Sequence, residues 1–216
     1  MKYLWIMLVS ALLLTGCDNP KEGPSTKGVY MLLDTSGTYT QELVKAQHLI
    51  NFILAKLNPG DTFAVARVDT ASFSEKDIIA KVTFDDRPSV ANRQKRQFRE
   101  KVDHFVKHVK SSGYTDITGG ILQATEYLNE AGVGKKTILI FSDLKEELKK
   151  GYVRDIPLQL PGFNVVALNV TKLRSDNIDP REYMDRLQKW EERVTSGEGT
   201  WKVINDMDRL ESIILD

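Results

Sequence analysis

Two aspartates each follow closely on an apolar run of the chain, and hydroxyl side chains accompany them. Asp34 ends the apolar run 29–33 and opens a short polar segment, and Asp143 follows the apolar run 137–141. A separate glycine-rich stretch carries a further hydroxyl at Thr115. Carboxylate and hydroxyl oxygens, without histidine or thiolate, suit hard divalent cations such as Mg²⁺. These residues therefore indicate a metal site, provided that the fold brings them together.

The apolar pattern alternates between segments typical of buried strands and segments typical of amphipathic helices. Strands are predicted at 29–33, 62–68, 78–84, 137–141, 165–170 and 200–204. Helices are predicted at 43–57, 98–109, 119–131, 180–193 and 208–215. Too few residues separate the second and third strands for a crossover helix, so this pair is predicted to be antiparallel.

This order of elements predicts an α/β domain over residues 28–216. We expect a three-layer, doubly wound, Rossmann-like fold with a mainly parallel six-stranded sheet and one antiparallel edge strand. In such sheets, ligands bind beyond the carboxyl ends of the strands, where the strand order reverses. If their strands flank that point, Asp34 and Asp143 face one crevice.

The spacing of the polar residues resembles the metal-ion-dependent adhesion site of von Willebrand factor type A (VWA) domains. That site has Asp-x-Ser-x-Ser after the first strand, a threonine in a glycine-rich loop, and an aspartate after the fourth strand. The matching residues are Asp34, Ser36, Thr38, Thr115 and Asp143. Thr38 replaces the last serine, and Leu144 replaces the glycine that usually follows the aspartate.

The resemblance implies a VWA-like fold with a bound divalent cation. Mg²⁺ is the expected ion, with Mn²⁺ or Ca²⁺ possible, because the donors are all hard oxygens. Five protein donors leave an octahedral position open, and a carboxylate of a protein partner can occupy it. The expected function is metal-dependent binding of another protein.

Residues 1–16 are predicted to be a secretory signal peptide. Lys2 precedes a mainly apolar run, residues 3–14, which is too short to span a bilayer comfortably. The sequence Leu-Thr-Gly-Cys at 14–17 resembles the lipobox of bacterial lipoproteins, which implies acylation of Cys17, for example by palmitate. The alternatives are an ordinary signal peptide or an uncleaved anchor with a chance cysteine. Residues 17–27 are then the lipidated cysteine and a flexible tether.

The residue after that cysteine bears on location. Asp18 resembles the signal that retains enteric lipoproteins in the inner membrane. We therefore expect a lipid-anchored protein of the cell envelope, with the periplasmic face of the inner membrane favoured.

Composition excludes several classes of function. The 216 residues include 30 basic and 30 acidic side chains, so the chain has no general attraction to nucleic acid. The single cysteine excludes an intramolecular disulfide and a zinc site built from several thiolates. The sequence shows no general base, nucleophile or cofactor fingerprint, so an enzyme is not expected. A metal-dependent hydrolase, the third class considered, would need a positioned base.

A basic segment offers a second way to bind a partner. Eight cations lie close together: Arg87, Arg93, Lys95, Arg96, Arg99, Lys101, Lys107 and Lys110. A solvated helix face is the ordinary explanation. The functional alternative is contact with anionic lipid or an acidic partner through Arg93, Lys95, Arg96 and Arg99. The competing hypothesis is therefore a metal-independent structural or scaffolding lipoprotein that binds through the helix around 93–110.

Two further patterns have ordinary explanations. His104 and His108 lie one helical turn apart, but no third zinc ligand is evident, so exposed helix histidines are expected. Residues 132–137 look like a phosphate-binding loop but precede a strand instead of following one, which predicts a turn at the end of a helix.

Overall fold

The computed structural model describes residues 25–69 and 74–206. The predicted signal peptide, Cys17, most of the predicted tether and the predicted helix 208–215 lie outside the described residues. In the two described ranges, none of the helices has the length and apolar character needed to cross a membrane.

The described chain forms six strands and four α-helices. The strands are β1 (Lys27–Leu33), β2 (Thr62–Arg67), β3 (Ile78–Thr83), β4 (Lys135–Phe141), β5 (Phe163–Leu168) and β6 (Thr200–Ile204). The helices are α1 (Leu43–Lys56), α2 (Pro88–His108), α3 (Ile117–Glu130) and α4 (Pro180–Ser196). Short 3₁₀ turns occur at Gly37–Glu42, Glu75–Asp77 and Ser175–Asn177.

The six strands form one sheet in the order β3-β2-β1-β4-β5-β6. All neighbours are parallel except β2 and β3, which pair antiparallel and place β3 at the edge. The chain builds outward from β1 in one direction, then returns to place β4 on the other side of β1. The order therefore reverses between β1 and β4, and the predicted doubly wound fold is confirmed.

Alternation along the strands creates two hydrophobic cores, one on each face of the sheet. Met31 and Leu33 point into the core that α1 and α2 cover, whereas Tyr30 and Leu32 point into the core that α3 and α4 cover. These four side chains are fully buried. The sheet thus forms the middle of three layers and fixes where each strand ends.

Two local features differ in how well the sequence predicted them. Helix α2 begins at Pro88, ten residues before the predicted start, because its first turns carry few apolar residues and only Pro88 at the first helical position signals them. The segment after α3 is a turn, as predicted: Gly132 has φ 63° and donates its N–H to the carbonyl of Asn129.

Helix α3 lies close to the sheet because Gly120 faces it. A Cβ at this position would lie 2.8 Å from Val68 Cγ1 and 3.0 Å from Leu32 Cδ2. Replacing Gly120 by alanine should therefore lower the free energy of unfolding by about 1–3 kcal/mol through overpacking. Denaturant unfolding followed by circular dichroism measures the change. Gly113→Ala is the matched control, since no atom beyond its two chain neighbours lies within 4 Å of the added Cβ. Equal stability of the two variants would contradict this packing.

Candidate metal centre

The two predicted carboxylates lie at the carboxyl ends of adjacent strands, at the point where the strand order reverses. The register pairs Leu33 of β1 with Phe141 of β4. Directly beyond this pair, the N–H of Asp34 donates to the carbonyl of Phe141 at 3.0 Å. Asp143 follows two residues after Phe141. The topology thus places both aspartates at the carboxyl ends of neighbouring strands, the position at which doubly wound sheets bind ligands, and we call this position the crevice.

Asp34 is fully buried and accepts hydrogen bonds from three loops. Its Oδ1 accepts from the backbone N–H of Ser36 at 2.8 Å and lies 3.5 Å from the hydroxyl of Thr115. Its Oδ2 accepts from the hydroxyl of Ser142 at 2.6 Å. The structure therefore brings Asp34, Ser36 and Thr115 into direct contact and adds Ser142, which the sequence analysis did not single out.

Backbone hydrogen bonds fasten the loop that carries Thr115 to both aspartate loops. On one side, Gly37 N–H donates to the carbonyl of Ser112 and Ser112 N–H donates to Thr35, each at 3.1 Å. On the other side, Thr115 and Glu147 exchange two hydrogen bonds of 2.8 and 2.9 Å. The three loops are thus one bonded unit, and the position of Thr115 relative to Asp34 does not depend on side chains alone.

Ser36 and Thr38 both belong to the chain just after β1. Ser36 is half-buried, and its hydroxyl acts to lower the pKa of Asp34, against the larger effect of burial. Thr38 lies in the turn Gly37–Glu42, but its side chain is outside the described part of the structure.

Leu144 takes the backbone conformation that a glycine favours, which explains how the departure from the VWA pattern is accommodated. Its φ is 65°, in the left-handed region, at a cost of roughly 1–2 kcal/mol for a residue with a Cβ. Its N–H donates to the hydroxyl of Ser142 at 3.0 Å, and its carbonyl accepts from Trp190 Nε1 at 3.0 Å. The side chain is only 1% exposed, so packing holds the strained turn that positions Asp143.

The crevice concentrates negative charge without a matching cation. Burial raises the pKa of Asp34. Burial also raises the pKa of Asp143 to about 6, and the charge of Asp34 adds to this effect. Arg186 approaches but pairs with Asp176 at 2.7 Å, and its Nε donates to the carbonyl of Asp143, not to the carboxylate. Among residues 25–69 and 74–206, no lysine or arginine forms a salt bridge with either carboxylate.

These donors fit a hard divalent cation. In the described ranges, no group of three or more His, Cys, Asp or Glu side chains is placed to hold a metal. A cation in this crevice would therefore be held by two carboxylates together with hydroxyls and water, which is the chemistry that Mg²⁺ or Mn²⁺ accepts. The unmatched charge of the two carboxylates is the feature that such an ion would neutralise.

A buried ion pair lies next to the loop that carries Thr115. Asp116 caps α3 by accepting from the N–H of Gly119 at 2.8 Å, and Arg154 Nη2 lies 2.8 Å from its other oxygen. Both side chains are almost completely buried. Arg154 belongs to the irregular segment after β4, where no periodicity pointed to it. Its contact holds that segment against the residue next to Thr115.

The candidate contacts on the basic helix divide into two kinds. Lys95 is partly buried, and its Nζ donates to the carbonyl of Leu57 at 2.5 Å and lies 5.5 Å from the centre of the Phe84 ring. Burial lowers its pKa. Lys95 therefore caps the end of α1. Its neighbours Arg93, Arg96 and Arg99 are exposed.

The histidine pair on α2 has the geometry of an exposed helix face. The ring centroids of His104 and His108 are 4.3 Å apart, and His108 Nδ1 lies 2.7 Å from the carbonyl of His104. Within the described chain, no third ligand completes a zinc site with them.

Comparison with known proteins identifies the fold. No protein-family model matches the chain, and no curated protein matches it. The pilus adhesin SpaC from Lactobacillus rhamnosus GG, in an open conformation, is similar with a TM-score of 0.56 and 13% identity, over 89% of this chain and 29% of that chain. A von Willebrand factor type A structure from Catenulispora acidiphila is similar with a TM-score of 0.55 and 16% identity, over 89% of this chain and 41% of that chain. This chain thus spans less than half the length of either protein. The predicted VWA-like fold is confirmed.

The pKa of Asp143 makes stability depend on pH in a defined direction. Its folded pKa, about 6, exceeds the ordinary value of 3.8, so the charged form is disfavoured in the folded state. Stability of the metal-free protein should therefore fall as pH rises from about 4 through about 6. Asp143→Asn removes the disfavoured charge and should therefore raise the free energy of unfolding at pH 7.5. The expected increase is about 1 kcal/mol, because partial solvent exposure of the group screens part of the effect.

Thermal unfolding at pH 5 and pH 7.5, with a chelator present, measures this effect. The exposed Asp185→Asn is the control and should leave the pH dependence as it is in the unmodified protein. A loss of stability in Asp143→Asn at pH 7.5 would contradict the assigned electrostatics.

Proposed function

We propose that this protein binds a divalent cation at the crevice and uses it to capture a carboxylate of a protein partner. The observation that carries the proposal is the pair of carboxylates, Asp34 and Asp143, that face one crevice without a cationic partner among the described residues. Ser36, Thr38 and Thr115 would complete the protein's share of the ligands. Mg²⁺ is the proposed ion, since the donors are oxygens throughout.

The loops around the crevice support this role by holding the donors before any ligand arrives. Asp34 is fixed by Ser36, Thr115 and Ser142, and Asp143 Oδ1 accepts from the backbone N–H of Lys145 at 2.8 Å. Bound Mg²⁺ would supply positive charge and a coordination position for an oxygen of the partner. The chain's own part is to orient the carboxylates and hydroxyls, and preformed donors lower the entropic cost of binding.

We further propose that the protein is anchored in the cell envelope through acylated Cys17. Strand β1 begins at Lys27, whose backbone N–H donates to Asp61 at the amino edge of the sheet, and it ends at the crevice. Seven strand residues span about 23 Å. A lipid attached through the preceding residues would therefore join the domain at the edge opposite the crevice, which leaves the crevice free to face a partner.

A binding role is proposed in preference to catalysis. In the described chain, the polar side chains of the crevice bond to one another, and the histidines lie on helices α1 and α2, outside it. A hydrolase would need a base placed to activate water.

The exposed arginines of α2 keep the competing hypothesis testable. Arg93, Arg96 and Arg99 could contact an acidic partner or anionic lipid without a metal. Capture that survives chelation but is lost when Arg96 and Arg99 are both changed to glutamate would favour that mode. Lys95 is unsuitable for this test because its substitution would remove the cap on α1.

Metal binding should appear as stabilisation. A ligand that binds only the folded state adds about 2.7 kcal/mol when its concentration is 100 times Kd. The melting temperature of the unmodified protein should therefore rise as Mg²⁺ is titrated, whereas Asp34→Asn should remove most of this rise. Asp61→Asn is the matched control: this buried aspartate lies at the opposite edge, so the variant should lose stability but keep its Mg²⁺ response. A full Mg²⁺ response in Asp34→Asn would contradict the assigned site.

Acylation of Cys17 should be visible directly. Cys17→Ser should stop processing at the lipobox and abolish incorporation of a fatty-acid analogue, because the serine hydroxyl cannot replace the thiol that receives the lipid. Labelling of the protein expressed in a bacterium, followed by gel fluorescence, measures this. Undiminished labelling in Cys17→Ser would exclude the anchor.

A further inference from the structure

Exposed large apolar side chains are concentrated at the end of the sheet where the parallel strands have their carboxyl ends. In the described ranges, eight large apolar side chains are exposed. Six of them lie in loops or in the first two turns of a helix, at the end of the sheet that carries Asp34 and Asp143: Val44, Tyr114, Tyr152, Val153, Ile178 and Met184. We call these six residues the apolar rim. The other two are Ile156 and Val203.

The opposite edge of the sheet is different. None of its described loops carries an exposed large apolar side chain: 57–61, 84–87, 131–134, 159–162 and 197–199. Single exposed apolar residues are normal on any protein surface, so each one alone needs no explanation. Their accumulation around one candidate site is typical of an interaction surface.

On one side of the crevice, the rim is held by contacts already described. Tyr114 directly precedes Thr115 and is 42% exposed. The ion pair of Arg154 with Asp116 holds the neighbouring residues Tyr152 and Val153, which are 44% and 73% exposed, beside the same loop. The Tyr152 ring also lies 5.6 Å from the guanidinium of Arg154.

On the other side, Arg186 links the rim to Asp143. Its Nε donates to the Asp143 carbonyl at 2.9 Å, and its guanidinium pairs with Asp176, two residues before Ile178. Ile178 is 89% exposed, and Met184, in the second turn of α4, is 61% exposed. Apolar side chains therefore flank the crevice from both the Thr115 loop and the start of α4.

We propose that the partner presents a carboxylate flanked by large apolar side chains, which pack on the apolar rim while the carboxylate reaches the crevice. This inference rests on the proposed function and names the chemistry of the partner. Burial of apolar surface would supply affinity that one metal–carboxylate contact lacks. A flexible polyanion could use the metal position but not the rim.

Immobilised synthetic peptides with a central aspartate test this proposal. In the first set, Leu and Phe flank the aspartate on both sides. In the second set the flanking residues are Ser and Asn, and in the third they are Glu. Each peptide has a control peptide in which Asn replaces the central aspartate. Retention of the purified protein is measured in Mg²⁺ and after addition of EDTA. The Leu/Phe set should retain about ten times more protein than the Ser/Asn set, in Mg²⁺ only and only with the central aspartate.

Variants assign the preference to the rim. Val153→Ser combined with Ile178→Ser should reduce retention by the Leu/Phe peptides to the level of the Ser/Asn peptides. Both residues are exposed, so the fold and the Mg²⁺ stabilisation should be unchanged. Val203→Ser, on the outer strand β6, is the matched control and should retain the preference.

The outcomes separate the two proposals. Three results would overturn this inference and leave the proposed function standing, provided that retention needs Mg²⁺ and aspartate. Retention could be equal for all flanking residues, it could be strongest for Glu, or it could be unaffected by the rim variant. Retention that EDTA does not reduce, or no retention of any aspartate peptide, would overturn the proposed function and the inference that rests on it.

Discussion

The placement of two carboxylates, one fully buried and one half-buried, at the point where the strand order reverses is the constraint on which the rest of the structure depends. A parallel sheet that builds outward from β1 in both directions must place the ends of β1 and β4 side by side. Asp34 and Asp143 occupy those ends, and burial raises the pKa of both. Hydrogen bonds from Ser36, Thr115 and Ser142 satisfy the oxygens of Asp34 but carry no charge. The remaining deficit is one of charge, which a divalent cation would correct.

The scaffold holds this arrangement through contacts that contribute nothing to metal chemistry themselves. Leu144 keeps a strained turn because its side chain is buried and its carbonyl is bonded to Trp190 of α4. Arg154 pairs with Asp116, so the aspartate that follows Thr115 in the sequence is satisfied by protein and does not compete with the crevice for a cation. The acidic groups on the two sides of Thr115 therefore differ. Asp116 is neutralised by an ion pair within the protein, whereas Asp34 and Asp143 are left to bind a cation.

The sequence predicted the strands and the order of the polar motifs because both depend on local patterns. Continuous apolar runs marked the parallel strands, and the spacing of Asp34, Thr115 and Asp143 marked the loops at their ends. Contacts made by residues without a periodic pattern could not be predicted in this way. Arg154 lies in an irregular segment, and the polar first turns of α2 carry little apolar signal. The sequence suggested that Lys95 belongs to a basic surface. In the folded chain its ammonium group donates to the carbonyl of Leu57 and so caps the end of α1. The exposure of the apolar rim is likewise a property of the folded chain and not of any motif.

The most direct test of the central claim is anomalous scattering from a crystal of the protein grown or soaked with Mn²⁺ in place of Mg²⁺. The account predicts one strong anomalous peak in the crevice between the carboxylates of Asp34 and Asp143, and its loss in crystals of Asp34→Asn. A fully ordered crevice without a peak at saturating Mn²⁺, or a peak that persists in Asp34→Asn, would contradict the account.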